Sequence, residues 1–333
     1  MDNKLRIARQ KLLDRESSHG EVYLASDLAS RLEWRCAKDS NDEHVVVLPD
    51  EFRSMIAATA GTGKEGEEED TVVTVIARVS KTNTFLPPDG HYKDGSESRF
   101  AETLADVTLS VALEAVTENV QLQNDFKAYH ATIERLRKSL KKTQDPSRWG
   151  WGLEGILIKD VDKIKLRHRV FLPRKSTDPE EELIEGILDT DPFKSEYTLR
   201  GYPLQHKRAQ DERELMVTDK THKLNLFGAY DTKGRIIPPS LVSERLRGAI
   251  VKVYFTIMHV PISQKSFHRF SADVVSIRVI IPPSPPSTPH HSTKRKSARD
   301  PFGQDDDDES PEDSSPSKKR HLTDFFALRA GAR

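Results

Sequence analysis

A short apolar cluster near the end of the sequence has a spacing suited to binding a partner. Leu322 is followed three and four positions later by Phe325 and Phe326. Residues with this spacing share one face of a helical turn. A single turn is unstable alone and the surrounding sequence is polar, so we expect these side chains to fold into a partner's groove. The alternatives are a chance apolar cluster and a helix end that docks on the protein's own body.

This segment resembles the PIP box, the peptide by which replication and repair proteins dock on the sliding clamp PCNA. The family pattern is a glutamine, two residues of any kind, an aliphatic residue, two residues of any kind and two aromatic residues. Leu322 takes the aliphatic position, and Lys319 stands where the family has glutamine. The resemblance is confined to this motif, includes the Thr-Asp pair of tight-binding members, and implies that PCNA is a partner. The candidate clamp-binding residues are Lys319, Leu322, Thr323, Asp324, Phe325 and Phe326.

An alternating stretch in the middle of the chain has the composition of a nucleic-acid contact. Over residues 164–172, apolar side chains alternate with basic ones, which predicts a half-buried β-strand. Cations that contact phosphates and a ring that stacks on bases are what a platform for single-stranded nucleic acid requires. The alternative is an ordinary exposed strand face. The candidate residues are Lys165, Arg167, Arg169 and Phe171, with Arg174 and Lys175 continuing the charge.

The elements that would hold these residues are mostly β-strands. Runs of β-branched or alternating residues predict strands at 44–48, 71–79, 106–113, 155–158, 164–172, 249–260 and 270–281. An apolar stripe predicts one long helix, from about 116 to 142. Two shorter helical pieces are predicted within 1–40, the second from Asp27 to Trp34. The predicted fold class is therefore α+β and β-rich: an antiparallel barrel or sandwich, with the OB type as one candidate.

Composition divides the chain into a β-rich body over 1–281 and a tail over 282–333. Within the body, the polar stretch 176–222 predicts an excursion over the surface. The tail is so rich in proline, serine and charge that we expect it to be disordered. Ser315 precedes a proline and resembles a cyclin-dependent kinase site, where phosphate would weaken or redirect docking. Two basic clusters resemble a nuclear-import signal: Lys294, Arg295, Lys296, Lys318, Lys319 and Arg320.

Composition also excludes several classes of protein. The 333 residues carry a formal net charge of −1, so any nucleic-acid surface must be a local patch. A single cysteine, Cys36, excludes an internal disulfide and a multi-cysteine zinc site. No apolar run is long enough for a membrane span and no secretory signal is recognised, so we expect a soluble, intracellular protein. No catalytic motif is found, and no cofactor or metal is predicted.

These observations favour a non-enzymatic nuclear adaptor of replication or repair. Its tail would dock on PCNA, and its β-rich body would bind single-stranded DNA. In a second interpretation, the body is an assembly interface of a scaffold protein that binds no nucleic acid. A third is a metal-dependent nuclease whose dispersed aspartates and glutamates meet only in the fold.

Overall fold

A computed structural model describes residues 2–19, 21–37, 43–60, 70–92, 102–143, 156–158, 162–176, 178, 191–262 and 267–284. The chain divides into two units, 1–285 and 286–333, and the second lies outside the described residues together with every predicted tail site. The α-helices are α1 (Asp2–His19), α2 (Asp50–Ala60), α3 (Val120–Thr143), α4 (Lys207–Thr218) and α5 (Val242–Leu246). The strands are β1 (Val22–Tyr23), β2 (Glu33–Cys36), β3 (His44–Val47), β4 (Val73–Val79), β5 (Thr108–Glu114), β6 (Leu157–Ile158), β7 (Lys163–Arg169), β8 (Phe171–Pro173), β9 (His222–Leu224), β10 (Ala229–Tyr230), β11 (Ile250–Ile262) and β12 (Phe267–Ile281).

Five strands close into a barrel. β4 pairs with β5 and β5 with β7, both antiparallel, and β7 then pairs in parallel with β12. β12 forms an antiparallel hairpin with β11, which returns to β4 and completes the ring. Closure leaves no unpaired edge among these strands, and the strand order is that of the OB arrangement. The predicted α+β, β-rich class is confirmed, and closure favours the barrel over the sandwich.

Along β11, buried side chains that fill the barrel alternate with less buried ones on its outside. On β11 the side chains of Val251, Val253 and Phe255 are all buried, while Lys252 and Tyr254 between them are half-buried on the outside. Each buried aliphatic or aromatic side chain removes apolar surface from water, which contributes about 1.5–3 kcal/mol. The strands predicted at 249–260 and 270–281 are confirmed, and they pair with each other as an antiparallel hairpin.

The long helix α3 packs its predicted apolar stripe against the barrel. It begins at Val120 rather than Val116, because the Asn119 side chain caps it by accepting a hydrogen bond from the Leu122 amide at 2.9 Å. Val116 is buried in the segment before the helix, whereas Val120 is 72% exposed. The buried stripe consists of Leu122, Phe126, Tyr129, Ile133, Leu136 and Leu140. No helix among the described residues is long and apolar enough to cross a membrane.

The predicted helix from Asp27 to Trp34 is wrong. A short 3-10 helix covers only Leu28–Arg31, and Glu33–Cys36 is strand β2, paired antiparallel with β3. The indole of Trp34 donates a hydrogen bond to the Leu136 carbonyl of α3 at 2.8 Å. Strand pairing and this long-range contact therefore outweigh the local helical spacing.

The described part of 176–222 is more than a surface excursion. Its residues 191–222 include α4, and Tyr202 packs edge-on against Phe171 with ring centroids 5.7 Å apart. The Glu212 carboxylate on α4 accepts hydrogen bonds from the Tyr92 hydroxyl and the Leu104 amide, both at 2.7 Å. This segment thus supplies part of the core. Residues 177 and 179–190 of this stretch lie outside the described residues.

Candidate nucleic-acid interface

The outward face of β7 carries the predicted cations. Ile164, Leu166 and His168 are buried in the barrel, and the residues between them point outward. The outward residues opposite Lys165, Arg167 and Arg169 on β5 are all small: Ala112, Ser110 and Thr108. Long basic side chains therefore extend beside a row of short ones.

Phe171 does not belong to this face, so its predicted stacking role is wrong. Its side chain is fully buried, with a relative exposure of 0%. β7 ends at Arg169, and the chain passes through buried Val170 into β8, which pairs with β9 in a separate two-stranded sheet. The change of sheet reverses which residues face inward. Phe171 consequently contributes to packing and cannot stack on a base.

A different aromatic residue occupies the outward face. Phe85 forms an isolated antiparallel bridge with Ser110, through backbone hydrogen bonds of 2.7 and 2.8 Å. Residues directly opposite in such a pair point to the same side, so the half-buried Phe85 ring lies next to Ser110 and the Arg167 row. The His91 ring stacks on it, with centroids 3.9 Å apart and planes 6° from parallel. We call the outward side chains of Phe85, Lys165, Arg167 and Arg169 the basic face.

A tight turn positions His91 against Phe85. Gly90 has φ +52°, and a Cβ there would lie 2.8 Å from a Val107 methyl carbon, so only glycine fits. The buried Asp89 carboxylate accepts hydrogen bonds from the Gln205 amide at 2.8 and 3.1 Å. Packing of Gly90 against Val107 and the hydrogen bonds of Asp89 to Gln205 therefore fix the turn. No periodic pattern marks Phe85, and only the proline- and glycine-rich turn after it hints at a fixed loop.

The cations of β7 differ in whether a nearby carboxylate neutralises their charge. Arg167 forms a bidentate ion pair with Asp273 of β12, at 2.5 and 3.3 Å. We find no carboxylate within ion-pair distance of Lys165 or Arg169 among the residues that the structure describes. Both side chains are exposed. Lys165 and Arg169 are therefore the cations best able to contact a phosphate.

The remaining predicted contact residues, Arg174 and Lys175, follow β8 and lie beside the two-stranded sheet. The Arg174 amide bonds to the Thr221 carbonyl at 2.9 Å, and the Lys175 amide to the Asp178 carboxylate at 2.6 Å. Asp178 also pairs with Lys223 at 2.9 Å. These two cations continue the charge in sequence, but they are not on the strand that carries the basic face.

His168 is a core residue, as its position on the apolar face of the strand predicts. Its Nε2 lies 2.7 Å from the Asn225 carbonyl oxygen, and its ring packs edge-on against Phe227. Burial lowers the pKa of His168 below its usual value. No three His, Cys, Asp or Glu side chains meet as a metal-binding group within the described ranges.

The depressed pKa of His168 makes stability pH-dependent. The unfolded chain takes up a proton near pH 6.5 and the folded chain only at lower pH. The contribution of neutral His168 to the free energy of unfolding is therefore fully present above about pH 6.5. It is lost as the pH falls toward the folded-state pKa, by at most about 1.4 kcal/mol per pH unit. Urea unfolding of His168→Gln between pH 7.5 and 5.5 should show a flatter dependence than the original chain. An equally steep loss in His168→Gln would contradict this assignment.

Comparisons with known proteins identify no family. No family model matches the sequence, and no curated protein matches it. Among solved structures, the chain is similar to gp2.5, a single-stranded DNA binding protein encoded by bacteriophage T7. That similarity has a TM-score of 0.34 and 8% sequence identity, and it covers 66% of this chain and 96% of the phage protein. A score this low supports no inference, so the fold assignment depends on the strand pairings described above.

Proposed function

We propose that the body binds single-stranded DNA on the basic face. The observation that carries the proposal is the row formed by Phe85, Ser110 and Arg167, with Lys165 and Arg169 on either side. The exposed cations neutralise backbone phosphates, and the Phe85–His91 stack offers a ring surface to an unpaired base. This row lies on the second and third strands of the barrel and the loop between the first two. That is where OB barrels hold oligonucleotides.

The proposal extends to the tail. The spacing of Leu322, Phe325 and Phe326 supports docking on PCNA, and the basic clusters of the tail support entry into the nucleus. Docking on a clamp that encircles DNA would raise the local concentration of the body near exposed single strands. The function we infer is a nuclear adaptor of replication or repair.

Binding to an oligothymidine strand, measured by fluorescence anisotropy over a salt series, tests the body's role. Lys165→Ala with Arg169→Ala should lower the affinity more than tenfold at about 0.1 M salt and reduce the salt slope by about 1.4, since each phosphate contact contributes about 0.7. Phe85→Leu should weaken binding by roughly tenfold or more with the slope unchanged, because it removes a stacking ring and no charge. Lys4→Ala and Phe52→Leu, at an exposed cation and a half-buried ring elsewhere, are the matched controls.

Two outcomes would favour the alternatives. An affinity that is absent, or insensitive to salt and to all three basic-face changes, would contradict the proposal and favour a scaffold that binds only protein. Cleavage of the strand that starts on addition of Mg²⁺ or Mn²⁺ and stops with EDTA would instead identify a metal-dependent nuclease.

A further inference from the structure

A basic cleft, separate from the basic face, lies on other strands of the barrel. It is a cleft of about 410 Å³ between α1, the turn after β10 and the outer side of the β11–β12 hairpin. Within the ring of strands, β11 pairs with β4 and β12 and with neither β5 nor β7, which carry the basic face. The side chains that shape the cleft are Arg15, Tyr230, Lys252, Tyr254, Val275 and Arg278.

Positive charge is concentrated in this cleft. Arg15, Lys252 and Arg278 line it together, and the carboxylate that lines it with them is Glu21, which lies 3.5 Å from Arg15. Burial lowers the pKa of Lys252, and the charges of Arg15, Arg278 and Lys11 lower it further, opposed by Glu21. The cations therefore repel one another across the cleft. A bound anion would relieve that repulsion and gain charge-assisted hydrogen bonds.

The cations of the cleft are held in place before any ligand arrives. Arg15 donates a hydrogen bond to the Tyr254 hydroxyl at 2.9 Å, and the Lys252 ammonium lies 4.9 Å from the centre of the Tyr254 ring. Gly234, at φ +82°, lets the turn after β10 approach the Arg278 guanidinium, where a Cβ would lie 3.2 Å from Nη2. A fixed set of cations costs little ordering entropy on binding.

The cleft also has an apolar and aromatic portion. Val275 is a bulge residue of β12, since Tyr254 pairs with Ser276 and Phe255 with Val274. The bulge turns Val275 outward, where it is 52% exposed. Tyr230 lies alongside, because β10 pairs with β12 at Tyr230 and Arg278. A ligand that fits must therefore carry both an anion and a flat or apolar group.

We propose that this cleft binds one nucleotide unit, with its phosphate among Arg15, Lys252 and Arg278 and its base against Tyr230 and Val275. The volume suits a ligand of this size. The same chemistry is offered by a free nucleotide and by one residue of a single-stranded nucleic acid. The site is distinct from the basic face, because the two share no residue: the basic face lies on β7 and beside β5, whereas the barrel residues of the cleft lie on β11 and β12.

Titration of the full chain with thymidine 5′-monophosphate tests the cleft, with backbone amide chemical shifts of the β11–β12 hairpin as the readout. We expect saturable shifts that thymidine, which lacks the phosphate, does not produce. Lys252→Glu and Arg278→Glu should each raise the dissociation constant at least about tenfold, since each removes a charge-assisted bond. Lys4→Glu, on the same helix as Arg15 but about 16 Å along it, and Lys165→Glu on the basic face should leave it unchanged.

Two further measurements identify the class of ligand. If Lys252→Glu also weakens a long oligothymidine strand and that strand displaces the nucleotide, the occupant is a nucleic-acid residue; unchanged strand binding assigns a free nucleotide. Phosphoserine, with a phosphate but no base, should bind at least about tenfold more weakly than the nucleotide. Equal binding of phosphoserine would point to a phosphorylated protein and overturn the proposal, as would equal shifts with thymidine. If the cleft binds no nucleotide but the Lys165 variants still lose affinity for oligothymidine, the cleft proposal fails and the basic-face proposal stands.

Discussion

Replacing Asp125 with alanine should lower the free energy of unfolding by about 3 kcal/mol, because it breaks a buried, charged network. Asp125 is only 4% exposed and accepts hydrogen bonds from Arg9 at 2.6 and 3.2 Å and from the Tyr23 hydroxyl at 2.8 Å. Removing the carboxylate leaves the guanidinium and a fully buried hydroxyl without their acceptor. An unpaired buried group costs more than the hydrogen bond it loses.

The network joins four elements, namely α1, β1, β4 and α3. The Tyr129 hydroxyl of α3 donates to the Tyr23 hydroxyl of β1 at 2.6 Å, and the Ile76 amide of β4 donates to Tyr129 at 3.2 Å. The hydrogen bond to Asp125 raises the pKa of Arg9, and burial raises the pKa of both tyrosines. The Arg9 guanidinium therefore stays charged at neutral pH, and both tyrosine hydroxyls stay protonated. Asp125 is the shared acceptor that ties α1 and α3 to the barrel.

Urea unfolding measures the effect through the transition midpoint at constant slope. Asp211→Ala is the matched control, since Asp211 pairs with Lys207 on an exposed helix face and should change stability by less than about 0.5 kcal/mol. Tyr129→Phe, which removes one hydroxyl and keeps the ring, should have an intermediate effect. Equal effects of the Asp125 and Asp211 changes would show that the network contributes no more than a surface ion pair.

Elements whose side chains alternate along one strand, or recur along one helix face, could be predicted from the sequence. Val107, Leu109, Val111 and Leu113 are buried as their alternation predicts, although β5 itself begins at Thr108. The stripe of α3 is also a local property, and it is correct along its length. Closure of the barrel is different, because the pairing of Arg167 with Asp273 joins residues 106 positions apart. No local pattern specifies such a contact.

Only the cations of the candidate site could be predicted from the sequence, because its aromatic residue is positioned by long-range pairing. The cations of β7 are where the alternation puts them, but the pattern runs unbroken through Val170 and conceals the change of sheet that buries Phe171. Phe85 is brought beside Ser110 by a bridge that follows a tight bend after β4, in a segment with no periodicity. Trp34 likewise lies at the end of a predicted helix, but it is part of β2, which pairs with β3, and its indole contacts α3. Tertiary pairing decides these three positions.

The double change Phe325→Ala with Phe326→Ala should abolish measurable binding of the full chain to purified PCNA. Aromatic anchors that fill a pocket typically contribute about 2 kcal/mol or more each, so the dissociation constant should rise at least about a hundredfold. Because the tail is remote in sequence from β5 and β7, binding to oligothymidine should remain unchanged. Surface plasmon resonance on immobilised clamp measures the first quantity and anisotropy the second.

A substitution expected to strengthen clamp binding distinguishes a specific PIP-box site from a nonspecific apolar segment. Lys319 stands where the family has glutamine, so Lys319→Gln adds the missing hydrogen bond and should tighten clamp binding by roughly three- to tenfold. Lys318→Gln, which removes the same charge one position earlier, is the matched control and should not tighten it. If both glutamine variants bind alike, or if the double alanine variant still binds the clamp, the tail does not use the PIP-box mode. The function would then depend on the barrel alone.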